Sequence, residues 1–293
     1  MRRDPDERIE YWASLPFLSM HLACLLALWT GVSVAAVAVC LALHGVRMFA
    51  ITAGYHRYFS HRSFKTGRVF QFALAWVGAT AAQKGPLWWA AHHRRHHADS
   101  DTADDIHSPV ISGFWWAHVG WFLCSKYNKT EAELVRDFTP YPELRFINRF
   151  YLLPPFISAV LTTALGAFLQ VLAPQMNTSP LQMLVWGFFI STVITYHATF
   201  FVNSLAHSSG SRRFPTKDGS RNNLLVAVIA LGEGWHNNHH YAPSSERLGF
   251  YWWEIDVAHW ILKVFSWCGL VWDLQAPPRR VYERSRSEMI ITR

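Results

Sequence analysis

Charged residues vanish twice along this chain. No Asp, Glu, Lys or Arg occurs from Tyr11 to Val46, and none from Phe150 to Ser211. A helix that crosses a bilayer needs roughly 20 consecutive apolar residues, so each run has room for two. The pattern predicts helices over 14–30 and 33–53, with Gly31 at the turn, and over 152–172 and 181–201, with 173–180 as the turn. The expected fold is all-α and integral to a membrane, with four transmembrane helices in two hairpins. A helical cap over 54–150 and 202–293 completes a single membrane domain, 1–293.

Other apolar stretches fit the cap better than the bilayer. Val69–Ala82 is too short to span, and Pro109–Cys124 is rich in Trp and interrupted by His118. Tyr251–Trp272 is long enough but carries Glu254, Asp256, His259 and Lys263, and charge at mid-bilayer is costly. Aromatic, partly polar helices of this kind lie in the interface plane. Both hairpin turns are uncharged. Arg2, Arg3, Arg8 and the basic remainder, including Arg279, Arg280, Arg284 and Arg286, fall on the opposite side, which the positive-inside rule makes the cytoplasm. The reading is a multi-pass protein of the cell (inner) membrane with no cleaved leader and with both termini and the cap in the cytoplasm.

Composition agrees. The 293 residues are 51% hydrophobic and 16% charged, against about 25% charged in soluble domains. The net charge of +7 gathers on the cap side, where it suits anionic lipid head groups or an acidic electron carrier; no nucleic-acid partner is expected. Cys24, Cys40, Cys124 and Cys268 show no CxxC spacing and read as small core residues.

The candidate chemistry lies in three histidine clusters: His56 with His61, His93 with His96 and His97, and His236 with His239 and His240. Helical residues three and four apart share a face, so the second and third clusters each form one ligand face. His56 and His61, five apart, fit a helix end running into a turn. Asn203 and His207, four apart, leave the fourth span beside them. All lie on one side of the expected membrane. Nine imidazoles exceed the three protein ligands of a catalytic zinc site and ask for two metals. Two irons in a nitrogen-rich site suit O2 activation, and an apolar tunnel beneath them would present a lipid chain. His107 and His118 are candidate neighbours of the ligands. Asp99, Asp101, Asp104, Asp105 and Glu233 are candidate carboxylates to orient them, with Asp104 and Glu233 preferred.

These clusters resemble the boxes of the membrane fatty acid desaturases of the stearoyl-CoA desaturase type. The resemblance rests on Gly54–Phe64, His93–His97, Asn203–His207 and Glu233–His240, and covers roughly Leu41 to Tyr251. It implies two irons held by His56, His61, His93, His96, His97, His207, His236, His239 and His240, with Asn203 acting through a water. It implies O2 as co-substrate and a cis double bond, most often at Δ9, set into a saturated acyl chain. Cys40 and His44 occupy the place where related tunnels close. Where animal members place an Arg-Asp pair that grips coenzyme A, this chain has Ala91 and His92; Lys126 or Lys84 is left for a head-group contact. Acyl-CoA is the expected substrate form, with acyl carrier protein or a phospholipid as alternatives. No fused electron carrier is seen in the sequence, so a separate ferredoxin-like or cytochrome-like donor with its reductase is expected. The competing readings are a di-iron lipid hydroxylase and a non-catalytic membrane metal-binding protein or transporter, the latter weakened by spans that carry no carboxylates.

Overall fold

The protein is described by a computed structural model over residues 6–283; Arg2, Arg3, Arg284 and Arg286 lie outside the described residues. The first apolar run makes α1 (Tyr11–Cys24) and a short α2 (Ala27–Thr30). Gly31 then turns the chain at φ 67°, a left-handed conformation that glycine adopts without steric cost. Ser33 caps the next helix by accepting from the Ala36 N–H, satisfying one of its free donors. That helix, α3 (Val34–Ser60), runs for 27 residues, past the 53 expected and through the first histidine cluster. The second run makes α8 (Leu153–Leu172) and α9 (Pro180–Ser204). At their crossing a Cβ on Gly166 would lie 2.7 Å from the Pro180 Cα, so only glycine permits this approach.

Among the described residues three helices, α3, α8 and α9, are thus long and apolar enough to cross a membrane, while Ser14–Thr30 is shorter. Their outward faces carry large apolar side chains: Leu28 is 89% exposed, Val34 88% and Val171 76%. In water such continuous patches are unfavourable; in a bilayer they need no partner.

The remaining helices gather at one end of these spans. They include α4 (Arg68–Ala79), α5 (Pro86–Asp99), α6 (Phe114–His118), α7 (Pro142–Arg149), α10 (Leu224–Ile229), α11 (His236–Tyr241) and α12 (Val257–Trp267). The Tyr251–Trp272 stretch thus contains a helix of only 11 residues, about 16 Å long and too short to span. A two-stranded antiparallel ribbon, β1 (Lys65–Thr66) against β2 (Val271–Trp272), ties α4 to the segment after α12, pairing Lys65 with Trp272. Buried Tyr55, Phe59, Phe64, Phe138, Leu144 and Ile147 form one core, which fastens the end of α3 to α4, α5 and α7. Two of the three candidate spans also place histidines: α3 carries His56, and His207 follows the end of α9.

Candidate metal centre and acyl cavity

The histidines of the three clusters converge. The ring nitrogens of His56, His61, His93, His97 and His239 lie within 4.8 Å of one another, and so do those of His96, His207, His236 and His240. The first cluster reaches this arrangement by an unexpected route. On an α-helix, residues five apart point about 140° away from each other. From Ala50 to Ser60, however, α3 opens into wider π turns, and the His61 N–H donates to the His56 carbonyl at 3.2 Å. That i→i−5 winding returns His61 to the face of His56. Such turns are rare and concentrate at functional sites.

Four imidazoles are oriented by carboxylates. Nδ1 of His96 meets both oxygens of Asp105 at 3.0 and 3.1 Å, that of His207 meets Asp101 at 2.9 Å, and that of His240 meets Asp218 at 2.6 Å. His56 Nδ1 bears on Glu233. A proton held at Nδ1 leaves the Nε2 lone pair facing inward. The Nε2 atoms then approach closely: His56 to His239 at 3.0 Å, His239 to His97 at 2.9 Å, His61 to His93 at 2.8 Å, and His236 to both His207 and His240 at 3.0 Å. A shared proton can bridge one such pair, but not a group of four or five. A cation satisfies them all. With a metal–imidazole bond of about 2.1 Å, ligands at right angles stand ~3.0 Å apart and tetrahedral ones ~3.4 Å. The close pairs, at 2.8–3.0 Å, are compatible with imidazoles that share a cation.

Burial comes first, and neighbouring imidazoles second, in pushing His61, His93, His97, His236 and His239 well below the ordinary histidine range. His240 is pushed down by burial to about 4 despite Asp218. All are neutral at pH 7, which is the form that binds metal. Burial also opposes protonation of His96, but the charge and hydrogen bond of Asp105 outweigh it, so His96 is raised.

Beside the first group opens a cavity of about 750 Å³, with His93, Trp89 and Asn203 in its wall. That volume is in the range of small-molecule sites. Much of its lining is apolar, from Phe17 and Met20 on α1, Ala159 on α8, and Phe188, Tyr196 and Phe200 on α9. Gln83 donates to the Thr199 hydroxyl at 3.0 Å, and both residues line the cavity. At the mouth lie Lys84, Asn128, Thr130 and Asn148. The loop presenting Lys84 is strained: Ala82 and Lys84 have φ of 53° and 64°, each costing about 1–3 kcal/mol. A Cβ on the next residue, Gly85, would stand 2.5 Å from the Asn148 Cα. The Lys84 ammonium donates to Asn128 at 2.6 Å and sits 4.5 Å over the Trp88 ring. Burial pushes its pKa down to about 8.

The family model described as fatty acid desaturase matches residues 15–266. The chain belongs to the fatty acid desaturase family. It is 36% identical to an acyl-CoA 5-desaturase of Anemone leveillei over 92% of this chain and 80% of that protein. It is 32% identical to a sn-2 palmitoyl-lipid 9-desaturase of Nostoc over 91% of each. It is also 32% identical to a hex-5-enoyl-[acyl-carrier protein] acetylenase of Moorena producens, over 93% of this chain and 87% of that one. It is an oxidoreductase acting on acyl chains.

In this desaturase the nine histidines come together, Asn203 faces the cavity, and Glu233 supports His56. His107 packs on the His96 ring at 4.3 Å between centroids. Other expected residues lie elsewhere. Asp104 is exposed, and its loop neighbours Asp101 and Asp105 hold the imidazoles instead. His118 bonds Ser204 at 2.9 Å and His197 at 3.0 Å, away from both groups. Cys40 and His44 do not line the cavity, because they sit on α3 and the cavity opens between α1, α8 and α9; His44 meets the Thr195 hydroxyl at 3.0 Å. Lys126 is drawn to Glu7 at 3.2 Å and also lies outside the lining. Asp218, Gln83 and Thr199 were not singled out by sequence. Asp218 lies in a polar loop 22 residues before His240, and no periodic pattern links the two.

Proposed function

We propose that this desaturase uses O2 and a pair of irons to remove two hydrogens from the middle of a saturated acyl chain, leaving a cis double bond at Δ9. The observation that carries this reading is the contact of the first imidazole group with an apolar cavity through His93, next to Asn203. His56, His61, His93, His97 and His239 would hold one iron and His96, His207, His236 and His240 the other, with Asn203 acting through a water. When bound, the irons supply the two-electron oxidation of the chain by O2. Two further electrons from a separate ferredoxin-like or cytochrome-like donor and two protons balance the formation of two waters. The chain's own carboxylates orient four of the imidazoles through Nδ1, its aromatic walls exclude water, and the Gln83–Thr199 bond bridges the cavity wall. We further propose that Ser14–Thr30 crosses the cell membrane together with α3, α8 and α9, so that two hairpins put both termini and the metal centre in the cytoplasm.

Expression in a host fed saturated fatty acid, followed by lipid analysis, tests this. A cis-Δ9 monounsaturated product is expected. A hydroxylated chain would assign the protein to lipid hydroxylation instead, and bound iron with no O2 consumption under any donor would remove the catalytic reading.

A further inference from the structure

A row of aromatic rings leads away from the metal centre. It starts at His96, in the four-imidazole group. The His107 ring lies on His96 with centroids 4.3 Å apart, Trp121 follows at 5.1 Å from His107, and Tyr127 at 6.3 Å from Trp121. These are the spacings of rings in contact, and His107, Trp121 and Tyr127 are all buried. Packing alone is a poor account of them. His107 Nδ1 and Trp121 Nε1 are buried with no hydrogen-bond partner, and an unmet polar atom is unfavourable where phenylalanine would fill the space without one. What indole and phenol rings have, and phenylalanine lacks, is ease of one-electron oxidation.

The row ends at a base. The Tyr127 hydroxyl donates to the Glu7 carboxylate at 2.6 Å, and Lys126 meets the same carboxylate at 3.2 Å. A phenol that has lost one electron is a strong acid, so its oxidation is easy only where a base stands ready for the proton. A second row shows the contrast. From His93, Trp89 lies at 5.1 Å and Tyr55 at 6.0 Å from Trp89, but the Tyr55 hydroxyl faces the carbonyls of Lys84 at 3.3 Å and Ala75 at 3.4 Å. A carbonyl does not take up the proton, so that row has no terminus. Trp121 also stacks on Trp88 at 5.6 Å. The Lys84 ammonium sits 4.5 Å over Trp88 and makes that indole harder to oxidise, which directs an oxidising equivalent on Trp121 towards Tyr127.

Reduction of one O2 to two waters takes four electrons and four protons. In desaturation the acyl chain gives two of each, and the donor and the medium give the rest. With O2 activated and no chain in the cavity, two electrons are missing, and nearby side chains are oxidised in its place. Resting on the desaturase reading above, we propose that His107, Trp121 and Tyr127 form a one-electron escape route, through which Tyr127 supplies a missing electron while Glu7 takes its phenolic proton. The product at Tyr127 is a neutral phenoxyl radical. A small thiol restores the phenol by giving one electron and one proton. Two such turns supply the two electrons and two protons, and convert two thiols into one disulfide.

The test uses iron-loaded full-length protein in detergent, with a ferredoxin, its reductase and O2 but no acyl chain, freeze-quenched for electron paramagnetic resonance. A tyrosyl signal that narrows when the tyrosines are ring-deuterated is expected. It should fall at least fivefold in Tyr127→Phe and in Glu7→Gln, decay faster with added dithiothreitol, and shrink when a palmitoyl substrate is present. Tyr127→Phe keeps the ring and the bond from Trp88 Nε1 to the Tyr127 carbonyl at 2.8 Å. Neither Tyr127 nor Glu7 lines the cavity, so with saturating substrate both variants should desaturate within about twofold of the parent. Without substrate, Tyr127→Phe should lose activity several-fold sooner, and mass spectrometry should find more oxidised Trp89 and His93. No tyrosyl signal in protein that desaturates when given a chain, or a signal unchanged in Tyr127→Phe, would overturn the inference and leave the desaturase reading intact. No signal, no desaturation and no O2 uptake by protein holding two irons would sink both.

Discussion

Replacing Asp218 isolates how one carboxylate supports one half of the metal centre. Its Oδ2 accepts from His240 Nδ1 at 2.6 Å and its Oδ1 from the Ser220 N–H at 3.0 Å. Burial acts to raise this carboxyl, but the hydrogen bond and charge of His240 outweigh it and hold it far below the ordinary range. Asp218→Asn keeps an acceptor and loses the charge. A hydrogen bond to a charged group is worth about 1.5–3 kcal/mol and a neutral one about 0.5–1.5, so the difference is ~1–1.5 kcal/mol. At 1.36 kcal/mol per decade that weakens the metal about tenfold. Asp218→Ala also frees the ring to turn, and should approach the hundredfold limit seen for lost supporting groups. Iron titration of metal-free protein against a competing chelator reads this directly. The four-imidazole site should weaken and the five-imidazole site should not. Asp104→Asn, at an exposed position on the neighbouring loop, should change neither. Equal losses at both sites, or full affinity in the Asp218→Ala protein, would refute the reasoning.

Further consequences are accessible with the same protein. Phe188 lines the cavity on α9 and is backed by the Arg47 guanidinium 5.6 Å from its ring; Phe188→Ala should raise the ratio of monounsaturated product formed from stearoyl chains to that formed from palmitoyl chains in lipid analysis. The Lys84 amine, with a pKa lowered to about 8, loses its charge as pH rises through that value, so the apparent KM for an acyl substrate with an anionic head group should climb above about pH 8, and Lys84→Met should flatten the profile. Arg57 is fully buried, with Asp256 at 2.9 Å and Glu233 and Glu246 each at 3.5 Å; Arg57→Met would strand these carboxylates and should cost about 3–5 kcal/mol, seen as loss of folded protein in detergent. Removal of iron should lower the melting temperature. At a hundredfold excess over Kd each site adds about 2.7 kcal/mol, or ~5–10 °C at roughly 2–4 °C per kcal/mol.

Much of this was legible in the residues, for reasons that differ from element to element. Charge-free runs mark helices because a bilayer admits little else, and α8 and α9 begin and end within a few residues of expectation. The His93 and His236 clusters could be read because three- and four-residue spacings map onto one helical face. The His56–His61 pair could not be placed that way. Its geometry depends on π turns, which have no local sequence signature, and this is also why α3 outruns its expected end. The carboxylates failed for another reason. Asp101, Asp104 and Asp105 are chemically equivalent in a polar loop, and only the fold of that loop decides which two face inward. Cys40 and His44 were assigned to the tunnel by resemblance, but they lie on a helix whose cavity-side neighbours belong to α1, α8 and α9.

The two halves of the centre are not equivalent. Around His96, His207, His236 and His240 stand three aspartates, Asp101, Asp105 and Asp218. Around the other five histidines stands one carboxylate, Glu233 on His56, and Glu233 is shared with Arg57. In a buried site of low dielectric, each nearby negative charge favours a cation far more than it would in water. The four-imidazole site therefore compensates charge with carboxylates, and the five-imidazole site with one more neutral donor. Acidic neighbours make the first the better host for a more highly charged ion, while the second is the one in contact with the acyl cavity through His93. In the proposed reaction the five-imidazole group, which reaches the cavity through His93, would hold the metal nearer the chain, and the three aspartates would support the other.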